Sequence, residues 1–126
     1  MLSEKFLGRP APNRSELNTA SLQKYSNMID AWGGWAQFQE LLGALKPLAD
    51  KHQASIADVG IRYILDRPTV AGVIVGTRLG VAQHIADNAR VFGFALDGDD
   101  RTRIEAVLAE SRDLMKIIGD CGDEYR

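Results

Sequence analysis

The chain has a single cysteine, Cys121, which excludes an internal disulfide and any metal site built from cysteine alone. Its two histidines, His52 and His84, stand apart from clustered acids or thiols, so no zinc-type ligand set is legible and no metal is expected. Positive charge is not in excess either. Fifteen lysines and arginines face seventeen acids, for a formal net charge of −2. Lys5, Arg9, Arg14, Arg62, Arg67, Arg78 and Arg90 are scattered, which argues against nucleic acid or an anionic membrane as a partner. No apolar run approaches the roughly 20 residues that span a bilayer. The opening MLSEKFLG places Glu4 and Lys5 where a signal peptide needs an apolar core. With one cysteine and no membrane signal, the expectation is a soluble cytoplasmic protein.

What is present has globular patterning. At 126 residues the chain is long enough for one domain and too short for two. Residues 8–18 (GRPAPNRSELN) hold two prolines and several turn formers and read as an extended loop. From about Ser21, Leu22, Tyr25, Met28 and Ile29 recur at helical spacing until Gly33-Gly34 interrupts them. Trp35, Phe38, Leu41, Leu42, Leu45, Leu48 and Ala49 then form the strongest apolar stripe, with Pro47 late in that helix. Trp32 and Trp35, either side of the glycine pair, read as core anchors rather than a stacking platform. His52 reads as a residue at a helix C-terminus, where a cationic ring complements the dipole. Ser55 with Asp58 forms a capping box that opens a helix through Ile56, Val59, Tyr63 and Ile64, ended by Arg67-Pro68.

Residues 70–76 (VAGVIVG) are a short apolar run bounded by glycine, the pattern of a strand buried on both faces. A short helix is expected over 81–91. Asp97, Asp99 and Asp100 open a last helix whose apolar face is Ile104, Val107, Leu108, Leu114 and Met115, with Glu105 and Asp113 on its solvated side. The tail 119–126 is polar, and the acids around Cys121 disfavour a reactive thiolate. A buried strand must pair its backbone groups with neighbours, and no second strand pattern supplies them. The expected class is therefore mainly α with one short buried strand.

Residues 72–94 (GVIVGTRLGVAQHIADNARVFGF) carry the chemistry that can be read. A strand that ends in glycine, a small loop with an arginine and a following helix together suit an anion: helix-terminal amides and the dipole favour negative charge. Gly76 and Gly80 permit close backbone approach, and Arg78 can hold phosphate oxygens in a bidentate fork. His84, Asp87 and Asn88 lie one turn further on. The pattern is neither a Walker loop nor GxGxxG. An ordinary strand-to-helix connection is the plain alternative, and for His84 surface packing weighs as much as a ligand contact.

This stretch resembles the last strand, loop and helix of aldo-keto reductases. Asp87-Asn88 stands where the family has Glu-Asn, Val91-Phe92-Gly93-Phe94 matches the Phe-rich turn, and SIADVGIRYIL (55–65) is similar to the family's seventh helix. The opening Leu2-Ser3-Glu4-Lys5-Phe6 is similar to the segment after the seventh strand. The resemblance implies the C-terminal portion of a (β/α)8 TIM barrel, with a loop at 1–20, helices and the last barrel strand at 21–94, and a C-terminal helix and tail at 95–126. It implies NADP or NAD as cofactor, with contacts from Gly76, Thr77, Arg78, Leu79, Gly80, His84, Asp87 and Asn88, and with Lys5 and Arg14 flanking the pyrophosphate or adenosine. Asn88 and Asp87 would hold the adenine and Arg78 a 2′-phosphate. His84 departs from the family's arginine or glutamine.

The implied activity is NAD(P)H-dependent carbonyl reduction through an Asp, Tyr, Lys and His set in the first half of the barrel. Tyr25, Tyr63 and Tyr125 lie in the wrong segments for that tyrosine, so no catalytic residue is assigned and the chain is expected to be inactive alone. Two other readings stand beside it. The chain can be a partner module completed by an N-terminal barrel half or by a second copy of itself, or a truncated product without independent activity.

Overall fold

A computed structural model describes residues 1–76 and 85–119, with Asp87 placed in backbone only. Among the described residues six α-helices succeed one another: α1 (Ala20–Trp32), α2 (Gly34–Lys51), α3 (Ile56–Leu65), α4 (Ile85–Arg90), α5 (Gly98–Ala109) and α6 (Leu114–Ile118). A 3-10 turn at Glu4–Phe6 precedes them. No strand occurs among the described residues.

The helix starts follow from side chains that satisfy orphan amides. Thr19 Oγ1 accepts from Leu22 N at 3.1 Å to open α1. Ser55 Oγ accepts from Asp58 N at 3.1 Å while Asp58 Oδ2 accepts from Ser55 N at 3.0 Å, the reciprocal box that opens α3. Asp97 and Asp100 repeat that exchange at α5 with distances of 2.9 and 3.2 Å. Only Gly33 separates α1 from α2, and Gly34 holds φ at +87°, a left-handed conformation that glycine adopts without strain.

Helix α2 is the hub, packing on α1, α3 and α5. Its stripe buries Phe38, Leu42, Leu45, Leu48 and Ala49 against Ile29 of α1, Ile56, Val59 and Tyr63 of α3, and Leu96 and Ile104 at α5. Trp32, Trp35 and Leu41 pack at the edge of this core, and Trp35 lies 5.4 Å from Phe38, centroid to centroid. Pro47 stays inside α2, where its missing amide leaves the Gly43 carbonyl without a helical donor on an exposed face.

Three expectations are corrected. Residues 70–76 form no strand and are not buried: Val73 is 37% exposed, Ile74 100% and Val75 39%. The physical reason is the one that made the pattern conspicuous, since a strand exists only where neighbours accept its ladder. The expected single last helix is two, because Asp113 caps a fresh start at α6 through Met115 N at 3.0 Å and Lys116 N at 3.3 Å. Met115 is consequently 61% exposed rather than on a buried face. Tyr25 and Ile64 also face outward, at 52% and 46% exposure. No helix among the described residues is long and apolar enough to cross a membrane.

Candidate functional site

The candidate residues that are described fall in two stretches of the chain. The first is the end of α4. Gly76 is exposed, and Thr77, Arg78, Leu79, Gly80 and His84 lie outside the described residues. Asp87 and Asn88 sit on α4, which packs on α3. Asn88 is half-buried, and its amide has no hydrogen-bond partner among the described residues.

The turn after α4 is firmly held. Gly93 N donates to Arg90 O at 2.8 Å, and a side chain at 93 would come within 3.2 Å of that same carbonyl, so glycine fits the close approach. Val91 is buried, and its carbonyl accepts from Arg62 Nη1 at 3.4 Å. Phe94 stacks on His52 with ring centroids 4.9 Å apart. His52 Nε2 in turn lies 2.8 Å from Asp100 Oδ2.

Asp100 is the most buried acid of this region, at 2% exposure. Burial opposes its ionisation, but hydrogen bonds from Lys51 and His52 and from the Asp97 amide outweigh that, and its carboxyl is held below the usual range. Lys51 Nζ bridges Asp97 at 2.6 Å and Asp100 at 2.7 Å. Those hydrogen bonds raise the Lys51 ammonium and, with the Asp100 amide, lower the Asp97 carboxyl. His52 therefore ends α2, as its place in the sequence implies, and also ties α2 to the start of α5.

The second stretch is the N-terminal loop. Gln39 on α2 clamps it twice, donating from Nε2 to Phe6 O at 3.0 Å and accepting at Oε1 from Gly8 N at 2.7 Å. Trp35 Nε1 donates to Arg9 O at 2.8 Å, and the indole meets the Phe6 ring edge-on at 6.2 Å. Lys5 Nζ lies 5.5 Å above that ring. Lys5 and Arg14 border two adjoining cavities of about 220 and 280 Å³ that share Leu17. Neither has an ion-pair partner among the described residues. The same is true of Arg9, which the sequence shows only as one of several scattered basic residues.

No hydrogen bond or ion pair among the described residues joins Lys5 or Arg14 to Asn88. No group of three or more His, Cys, Asp or Glu residues suited to a metal ion occurs among the described residues.

Residues 1–109 match the model of the aldo/keto reductase family. The chain belongs to the aldo/keto reductase family. The aldo/keto reductase match ends where α5 ends, so α6 lies beyond it. Members of this family are oxidoreductases that generally use NAD(P)H. A stretch of 68 residues is 34% identical to flagellar radial spoke protein 5 of Chlamydomonas reinhardtii, covering 52% of this chain and 13% of that protein. The chain thus aligns with only a small part of the length of that relative. No solved structure gives a significant match.

Proposed function

We propose that this chain forms part of the nicotinamide-dinucleotide side of an aldo/keto reductase-type site, as the C-terminal portion of a (β/α)8 barrel, and that carbonyl reduction requires a complementary barrel portion. The observation that carries the reading is the exposed run Val73-Ile74-Val75, leading into Gly76. Three consecutive β-branched residues, one of them wholly and two partly in water, are costly at roughly 25 cal/mol per Å² of apolar surface, and a barrel strand is the element that would bury them. On this reading residues 1–20 form the N-terminal loop, 21–94 hold the helices and the segment that becomes the last strand once the barrel is complete, and 95–126 are the C-terminal helix and tail.

The residues suit a dinucleotide in two respects. Lys5 and Arg14 are cations without ion pairs among the described residues, as phosphate ligands need to be, and Asn88 offers an unengaged amide to an adenine edge. Gly76, Thr77, Arg78, Leu79, Gly80, His84 and Asp87 are assigned to the same ligand by the family resemblance. NADP and NAD both fit this assignment. The bound dinucleotide supplies the hydride, and the role of this chain is to bind and orient it.

The proton donor is assigned to the complementary portion. Tyr63 is buried in the core with its hydroxyl accepting from Arg67 Nη2, and Tyr25 projects from α1 into solvent. Cofactor binding without a group that acts in the transition state does not accelerate the chemical step.

The test is aldehyde-dependent NADPH oxidation by the purified chain, alone and co-expressed with the N-terminal part of a family member. We expect no turnover from the chain alone and turnover from the complemented pair. Turnover alone that tracks chain concentration overturns the requirement for a complement. A second reading has its own observation: Ile74, Ile85 and Phe92 are 100%, 73% and 78% exposed, which suits pairing with a second copy of the chain. A mass that rises with concentration in sedimentation supports that reading, and a monomer throughout excludes it.

A further inference from the structure

We propose that the cavity between the N-terminal loop and α1 binds a small organic carboxylate with an apolar body, held at its charged end by Arg9 and Lys5. The cavity measures about 220 Å³, below the roughly 300–1,000 Å³ of drug-sized sites, so it admits a small molecule and not a whole dinucleotide. Arg9 and Lys5 stand at its edge, both exposed and neither in an ion pair among the described residues. Two cations outside any ion pair among the described residues, set against the single carboxylate of Glu16, leave this concavity with a net positive rim that suits an anion.

The remaining walls decide what kind. Phe6, Pro12, Leu17 and Leu22 line the same space, and a bare inorganic anion would leave them facing water. A carboxylate matches the planar fork of Arg9, and an aromatic or short aliphatic body fills the rest.

Glu16 also borders the cavity, but its Oε2 accepts from Asn13 N at 2.8 Å and closes the turn there instead of meeting Arg9. The wall that carries Arg9 is fixed before any ligand arrives, because Trp35 Nε1 holds the Arg9 carbonyl and Gln39 holds Gly8 and Phe6. A preformed wall lowers the entropic cost of binding.

The site draws on Lys5, which the dinucleotide reading also uses, so the experiment separates the two. Benzoate, benzamide, inorganic phosphate and adenosine 2′,5′-bisphosphate are titrated into the full chain by calorimetry, with Arg9→Gln and Asn88→Ala as variants. Arg9 is anchored through its backbone, so Arg9→Gln is expected to keep the thermal midpoint of the parent. The expected result is that benzoate binds, benzamide and phosphate bind at least about tenfold more weakly, and Arg9→Gln costs benzoate about tenfold, the loss of one charge-assisted contact. Asn88→Ala leaves benzoate unchanged. Equal binding of benzoate and benzamide, no binding of benzoate, or benzoate affinity untouched by Arg9→Gln overturns the proposal. Displacement of benzoate by the bisphosphate with the same Arg9 dependence also overturns it, by returning these cations to the nucleotide. Failure of the dinucleotide reading shows separately, as bisphosphate binding that is absent or indifferent to Asn88→Ala.

Discussion

Glu4 caps a helix that begins 52 residues further along the chain: its Oε1 accepts from Ile56 N at 2.7 Å. The Ser55–Asp58 box satisfies two amides at the start of α3, and Glu4 satisfies a third while bringing negative charge to the positive end of the helix dipole. Leu2 completes the attachment by lying over Gly60, where an added Cβ would come within 2.5 Å of Leu2 Cδ2. The N-terminal segment that carries Lys5 and Arg9 is therefore fastened to α3 as well as to α2.

Glu4→Ala should lower stability by about 1 kcal/mol, the net worth of a part-buried hydrogen bond. Glu4→Gln, which keeps an acceptor oxygen, should cost less. Thermal melts of the two variants measure the difference, and hydrogen exchange at Ile56 N should rise in Glu4→Ala.

Gly43 offers a gain in the other direction. It lies inside α2 on an exposed face, with nothing within 4 Å of the position an added Cβ would take. Gly43→Ala should stabilise the chain by about 0.5–1 kcal/mol through helix propensity and a less flexible unfolded chain. Urea denaturation should show a higher midpoint with an unchanged slope.

Stability should also depend on pH in a definite direction. Arg62 and Arg101 hold the Asp66 carboxyl below its usual range, through hydrogen bonds that outweigh its burial, and Asp97 and Asp100 are lowered as well. Carboxyls that ionise more readily in the folded state contribute stability above the unfolded Asp value of about 3.9, and that contribution is lost as pH falls through their lowered values. Lys51, raised above its ordinary value, contributes below about pH 10.4 and loses that contribution as pH rises through its folded value. Asp100→Asn should be less stable than the parent at pH 7, and the gap should narrow toward pH 3. Melts of both proteins across that range check it.

Ile74 tests the surface proposed to meet a complementary barrel portion. Because it is fully exposed, Ile74→Ser should change the stability of the isolated chain by no more than about 0.5 kcal/mol. The same substitution should weaken assembly with an N-terminal barrel portion, read as lost co-purification. Unchanged assembly would place that portion elsewhere on the chain.

Local signals in the sequence translated directly into structure. The stripe from Phe38 to Ala49 became the buried face of α2, and the Ser55–Asp58 spacing became a capping box because both partners lie within one turn. Gly33-Gly34 divides α1 from α2 as read. Contacts between distant residues left no such trace. Glu4 with Ile56, Gln39 with Phe6 and Gly8, Trp35 with Arg9, and His52 with Asp100 depend on how helices meet, and nothing periodic announces them. In the sequence Arg9 is for that reason indistinguishable from the other scattered basic residues. Residues 70–76 failed differently: their β-branched composition describes an environment, and among the described residues no strand stands beside them.

The most direct measurement is an equilibrium titration of the purified chain with NADPH, followed by nicotinamide fluorescence and repeated with Asn88→Ala. Saturable binding that Asn88→Ala weakens severalfold is the result expected if this chain holds part of the dinucleotide site. Absence of saturable binding, or the same affinity in both proteins, would contradict it.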